Sequence, residues 1–99
     1  MKYRRQQHIA VDVDDTLYSK GKLNQALVTW MIERKAEGFT LMLWSSRGKA
    51  HAIKAAKMSD TTELFDTINS KPGYIVDDKG WEWIKYTRDI RPETISKTL

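Results

Sequence analysis

The chain is 99 residues long, enough for one domain whose single core buries roughly two-thirds of the surface exposed on unfolding. It contains no cysteine, which excludes a disulfide framework and thiolate metal sites. The net charge of +4 and sequence pI of about 9.4 favour anionic partners, but the positive charge is dispersed and does not choose between phosphorylated metabolites and nucleic acid.

No apolar run approaches a membrane span, and the basic start Lys2-Tyr3-Arg4-Arg5 leads into a strand pattern with no signal-peptide core. The expectation is a cytoplasmic protein with no membrane partner, forming a single domain over residues 1–99. Residues 7–13 are short, apolar and β-branched, the pattern of a buried first strand. Tyr18-Ser19-Lys20-Gly21-Lys22 is polar and contains glycine, so a loop is expected. From Asn24, a residue suited to capping, Leu23, Ala26, Leu27, Trp30 and Met31 recur at helical spacing, and Gly38 suits the position just past the helix end.

Phe39-Thr40-Leu41-Met42-Leu43-Trp44 reads as a second buried strand, with Ser45-Ser46-Arg47-Gly48 turning away from its end. Lys49 to Met58 reads as a helix with Ala50, Ile53 and Ala56 facing in and Lys49, Lys54 and Lys57 facing out. Leu64 to Ile68 is a short third strand candidate, closed by Asn69-Ser70-Lys71-Pro72-Gly73, where Pro-Gly signals a turn. Tyr74-Ile75-Val76 is a fourth apolar run ending in Asp77-Asp78. Beyond it, Trp81, Trp83, Ile84 and Tyr86 fit either a helix or a strand packed on the sheet, broken at Arg91-Pro92. Strands alternating with helices imply an α/β fold: a short parallel sheet of about four strands, flanked by helices.

In such sheets ligands bind beyond the carboxyl ends of the strands, and the chemistry-bearing residues fall there. Asp12, Asp14 and Thr16 follow the first strand, Ser45 and Ser46 the second, Lys71 precedes the fourth, and Asp77 and Asp78 follow it. Alternation puts Asp12 and Asp14 on one side of the first strand, where two carboxylates repel unless a cation or hydrogen bonds compensate. A carboxylate can attack phosphorus and carry the phosphoryl group, and a second can protonate the leaving oxygen and later deprotonate water. Mg2+ takes oxygen ligands and would let these acids meet an anionic phosphate, with Asp12 and Asp77 the natural pair across adjacent strands. Lys71 would neutralise nucleophile and phosphate, Ser45 and neighbouring backbone N–H groups would hold phosphate oxygens, and Arg47 could add a fork-shaped contact.

Taken in order, Val11-Asp12-Val13-Asp14-Asp15-Thr16-Leu17, Leu43-Trp44-Ser45, Lys71-Pro72 and Ile75-Val76-Asp77-Asp78 resemble the four motifs of the haloacid dehalogenase superfamily of phosphatases and phosphotransferases. The resemblance implies a three-layer, Rossmann-like fold and a Mg2+-dependent phosphomonoester hydrolase working through an aspartyl-phosphate. In that reading Asp12 is the nucleophile, Asp14 the acid/base, Ser45 and Lys71 the phosphate clamps with Ser46 beside them, and Arg47 a substrate contact. Asp12, the main-chain carbonyl of Asp14, Asp77 and Asp78 form the metal end. Asp15 stands where the family often has glycine and is given no chemical role.

Asp12 and Ser45 lie 33 positions apart, and Ser45 and Lys71 lie 26 apart. Neither gap holds a cap domain, so the chain resembles the small uncapped members. An open site implies a large substrate, nucleic-acid ends included beside nucleotides and sugar phosphates, or a second copy of the chain covering the site.

Other anion and cation motifs fit poorly. Leu17 and Leu23 stand where a calcium loop needs glycine and glutamate, and Gly48-Lys49-Ala50 is not a Walker loop. His8 and His51 are expected to be structural or exposed. Two alternatives are a receiver-like phosphoacceptor, disfavoured because Asn69 stands near the expected acceptor aspartate, and a non-catalytic module binding phosphate or nucleic acid.

Overall fold

The computed structural model describes residues 5–98. Lys2, Tyr3 and Arg4, the basic lead-in to the first strand, lie outside the described residues. The elements run β1 (His8–Asp12), β2 (Tyr18–Ser19), β3 (Lys22–Leu23), α1 (Gln25–Ala36), β4 (Thr40–Ser45), α2 (Lys49–Met58) and β5 (Thr67–Ser70). Three short 3-10 segments follow or interrupt them, at Thr62–Leu64, Gly80–Tyr86 and Pro92–Lys97.

The main sheet has three parallel strands in the order β1-β4-β5, flanked by the two helices. Register aligns Val11 with Leu43 and Ile68, and Asp12 with Trp44 and Asn69. The first row is the better covered: Val11 and Leu43 are buried and join Leu27, Met31, Ala52 and Ala56 in the core. The second row, with Met42, stays partly exposed. The long apolar run of β4 is therefore covered more fully on one side than the other, and the three parallel carboxyl ends converge on Asp12, Ser45 and Ser70.

Both helices are stopped by the same device. Past α1, Gly38 has φ +99°, and the N–H groups of Phe39 and Gly38 return to the carbonyls of Arg34 and Lys35. Past α2, Asp60 takes the left-handed position at φ +56°, with Thr61 and Asp60 N–H bonded to the Ala56 and Lys57 carbonyls. Asn24 caps α1 as expected, accepting from Leu27 N–H at 3.1 Å.

Five sequence expectations are corrected. Tyr74-Ile75-Val76 forms no strand: it lies outside the sheet, with Tyr74 and Val76 almost fully exposed. The sheet is therefore three strands wide, and β1 is an edge strand. The third strand begins at Thr67 because Thr62–Leu64 turns as a 3-10 segment, which carries Leu64 and Phe65 into the core margin before the chain extends. Tyr18–Leu23 is a small hairpin and not a plain loop; Lys20 and Gly21 both have positive φ, the signature of a tight two-residue turn. The inward face of α2 is Ala52, Ala55 and Ala56, whereas Ala50 is exposed and Ile53 only half-buried. Trp81, Ile84 and Tyr86 are more than half exposed in their 3-10 segment and do not pack as a layer on the sheet. Among the described residues no helix is long and apolar enough to cross a membrane.

Candidate active site

Asp12 is the last residue of β1, and the chain leaves it through a tight turn in which the N–H groups of Thr16, Leu17 and Tyr18 all reach the Val13 carbonyl. That turn holds Thr16 so that its hydroxyl donates to Asp12 Oδ2 at 3.3 Å. Asp15 is in the left-handed region at φ +60°, a conformation that aspartate tolerates better than most residues, and its Oδ1 accepts from the Ser19 hydroxyl at 3.3 Å. Glycine would meet the same backbone demand.

Lys71 follows β5 directly, and its N–H bonds to the Ser45 carbonyl at 2.9 Å, extending the β4-β5 ladder by one step. From there it must cross the central strand, two strand spacings or about 10 Å, to reach β1. Its side chain does so over Trp44, with Nζ 5.8 Å from the ring centroid, and ends 3.1 Å from Asp12 Oδ1. Trp44 therefore supports the lysine that faces the carboxylate, a cation over an aromatic face.

Asp14 is balanced separately. Arg47 Nη1 lies 3.5 Å and His51 Nε2 3.2 Å from its carboxylate. The repulsion expected between two acids two residues apart is thus met by two different sets of cationic or donor groups. Asp14 is about half exposed and Arg47 more so, which makes these contacts weak and exchangeable.

Ser45 is buried, and its Oγ accepts from Arg47 N–H at 3.0 Å, so the hydroxyl shapes the turn after β4 from within. Ser46 is exposed on that turn. The helix that follows starts at Gly48, which has no side chain to cap it; Ser70, at the end of β5, accepts from Lys49 N–H at 2.8 Å instead. Asp77 and Asp78 are not brought to this cluster. Both are exposed, and Asp77 Oδ1 accepts from Lys79 N–H at 2.8 Å within its own turn. Among the described residues no three His, Cys, Asp or Glu side chains are grouped to hold a metal.

No protein-family model, curated protein or solved structure matches the chain.

The structure therefore unites Asp12, Thr16 and Lys71, sets Asp14, Arg47 and His51 beside them, places Ser45 beneath the same strand ends, and leaves Asp77 and Asp78 apart. His51 is the member that the sequence reading missed. The signal was helix phase: with Ala52, Ala55 and Ala56 inward, position 51 borders the buried stripe and points to the strand ends, whereas an inward Ala50 and Ile53 would turn it away. His8 is bonded to Thr40 at 2.6 Å at the opposite end of the sheet, a structural role.

Proposed function

We propose that this chain is a phosphomonoester hydrolase of the haloacid dehalogenase type, with Asp12 as nucleophile and Mg2+ as cofactor, built on the three-layer, Rossmann-like arrangement of that family. The single observation that carries this reading is the 3.1 Å pair between Asp12 and Lys71, assembled from two separate strand ends at the carboxyl edge of a parallel sheet.

In the first step an Asp12 carboxylate oxygen attacks phosphorus, the ester P–O bond breaks, and the leaving oxygen takes a proton from Asp14. In the second, Asp14 removes a proton from water, which attacks the acyl phosphate, releases inorganic phosphate and restores Asp12. Lys71 holds the negative charge of both partners, and the Thr16 hydroxyl fixes the second carboxylate oxygen so that Oδ1 faces the substrate. Arg47 and His51 hold Asp14 at the edge of the site, and Arg47 is exposed enough to exchange Asp14 for a phosphate oxygen. Ser45 keeps the turn carrying Ser46 and Arg47 in shape.

The donors fit Mg2+, which takes hard oxygen ligands and needs only one or two carboxylates besides substrate and water. Asp12 and the Asp14 carbonyl would hold it, whereas Asp77 and Asp78, expected as further ligands, stand apart from this cluster. When bound, it supplies charge neutralisation between carboxylate and phosphate. A receiver-like role finds less support, since β5 ends in Asn69-Ser70 and offers no acceptor carboxylate.

Phosphate release from a panel of phosphomonoesters tests the reading. Turnover should require Mg2+, stop on addition of EDTA, and fall at least ~1,000-fold in Asp12→Asn with the circular dichroism spectrum unchanged. Release that persists in Asp12→Asn rules out this mechanism, and absence of release in the parent protein favours the binding-module alternative.

A further inference from the structure

Every residue from Trp81 to Asp89 is exposed, although the stretch includes two tryptophans, an isoleucine and a tyrosine. In the 3-10 segment Gly80–Tyr86 residues three apart line up, giving one row with Trp81 and Ile84, a second with Trp83 and Tyr86, and a third with Glu82 and Lys85. Two of the three rows are apolar, and both face solvent. Tyr74 and Val76, just before this segment, are 95% and 104% exposed.

Charge along the same stretch has a polarity. At its start Asp77 and Asp78 stand against a single lysine, Lys79. At its end stand Lys85 and Arg88, joined by Arg5, whose Nε donates to the Tyr86 carbonyl at 3.4 Å, while Asp89 is engaged by Arg91 at 2.9 Å. Lys85 Nζ lies 5.3 Å from the centre of the Tyr86 ring, so the basic end borders the apolar rows. Among the described residues none of Asp77, Asp78, Lys85 and Arg88 is in an ion pair. The segment between the two ends is about 14 Å long, beyond the screening length of about 8 Å at physiological salt, so they do not neutralise each other within one copy.

We propose that residues 74–88 form the interface of a two-fold symmetric dimer, with the acidic end of each copy against the basic end of the other and the Trp81 and Trp83 indoles between them. In a two-fold contact the same patch meets itself in reverse, so opposite charges at the two ends of one apolar stretch make it complementary to a second copy. Aromatic side chains at the centre with charges at the rim are also the composition of such interfaces. Tyr74, Trp81, Trp83 and Tyr86 are between 36% and 95% exposed. Covering these four removes roughly 500 Å² per copy, about 1,000 Å² for the pair, which reaches the size of a specific interface. A polyanion or an anionic membrane fits this surface less well, because it would meet Asp77, Asp78 and Glu82 on the same stretch. The inference is independent of the hydrolase reading, and it gives Asp77 and Asp78 an electrostatic partner away from the Asp12 cluster.

Sedimentation velocity of the full chain over a range of concentrations tests it. The parent should move from the chain mass of 11.5 kDa to twice that mass as concentration rises. Trp81→Ala, at a position 62% exposed that the fold does not need, should weaken the dimer at least ~10-fold. Asp77→Lys with Asp78→Lys, and separately Lys85→Glu with Arg88→Glu, should each be monomeric where the parent is a dimer, because like charges then meet at both ends. Circular dichroism shows whether each variant is folded. An equimolar mixture of the two double variants should recover the dimer, since each altered end then meets its opposite in the other copy, and Trp81→Ala in both should remove that recovery. A parent chain still monomeric at ~1 mM overturns the proposal. So does a dimer unmoved by Trp81→Ala, a folded double variant that dimerises alone, or a mixture of folded double variants that stays monomeric.

Discussion

Asp66 shows how much one carboxylate can carry in a small sheet. Its N–H bonds to the Leu41 carbonyl at 2.8 Å, and its Oδ2 accepts from the Leu41 N–H at 2.8 Å and from Lys35 Nζ at 3.3 Å. The Leu41 N–H first, and then Lys35, hold this carboxyl below its ordinary value of 3.8. Folding therefore favours the ionised form. The stabilisation is fully present above the unfolded value and is lost as pH falls through the lower folded value. Melting temperatures measured by circular dichroism between about pH 5 and pH 2 should fall more steeply in the parent chain than in Asp66→Asn, whose amide oxygen still accepts from Leu41 N–H but does not titrate. Parallel curves would show that Asp66 contributes nothing to the acid limb.

At the scale of elements, the start of α2 depends on a different strand. Gly48 gives the turn its positive φ of 105° and leaves the helix without a side-chain cap, and Ser70 of β5 supplies the missing acceptor at 2.8 Å. One hydroxyl therefore ties the helix that carries His51 to the strand that leads into Lys71. Ser70→Ala should cost about 1 kcal/mol, the ordinary loss for a helix cap, read from the urea midpoint at unchanged slope. An unshifted midpoint would mean that water replaces the hydroxyl without cost. Such a contact is invisible in sequence, because Ser70 sits inside a turn signal far from the helix it caps. The signals that were legible are local ones. Asn24 and Gly38 bracket α1, Lys49–Met58 falls where the spacing puts α2, and the apolar runs before Asp12 and Ser45 form the two neighbouring strands. Three-residue runs were not legible: Tyr74-Ile75-Val76 has the composition of a strand, but pairing is decided by what occupies the neighbouring edge. Along β1 that neighbour is the groove lined by residues 89–92 and Ile95. Lys71 was legible as a motif and its partner Asp12 was too, whereas His51 depended on a helix phase that alanines at 50, 52, 55 and 56 leave ambiguous.

For the whole molecule, the division of apolar surface decides what the C-terminal third contributes. Among the described residues, six of the eight exposed large hydrophobics fall between Tyr74 and Tyr86, while the buried cluster is drawn from residues 11–65 with one addition, Ile95. That side chain is 4% exposed and lies in the 3-10 turn packed on α1, next to the Trp30–Thr98 hydrogen bond. Ile95 thus both closes the core under α1 and floors the groove beside Asp12. Ile95→Ala removes buried carbon atoms from a site that neighbouring groups cannot fill completely, a loss of about 2–4 kcal/mol, if residues 80–98 unfold together with the sheet. The urea midpoint should drop accordingly, and trypsin should cut after Lys85 and Arg88 faster than in the parent while cleavage after Lys54 and Lys57 in α2 rises with the same dependence on urea. If instead the midpoint stays at the parent value and only Lys85 and Arg88 become more sensitive, the last turn opens independently of the sheet, and the wall of the groove is a separable part of the fold.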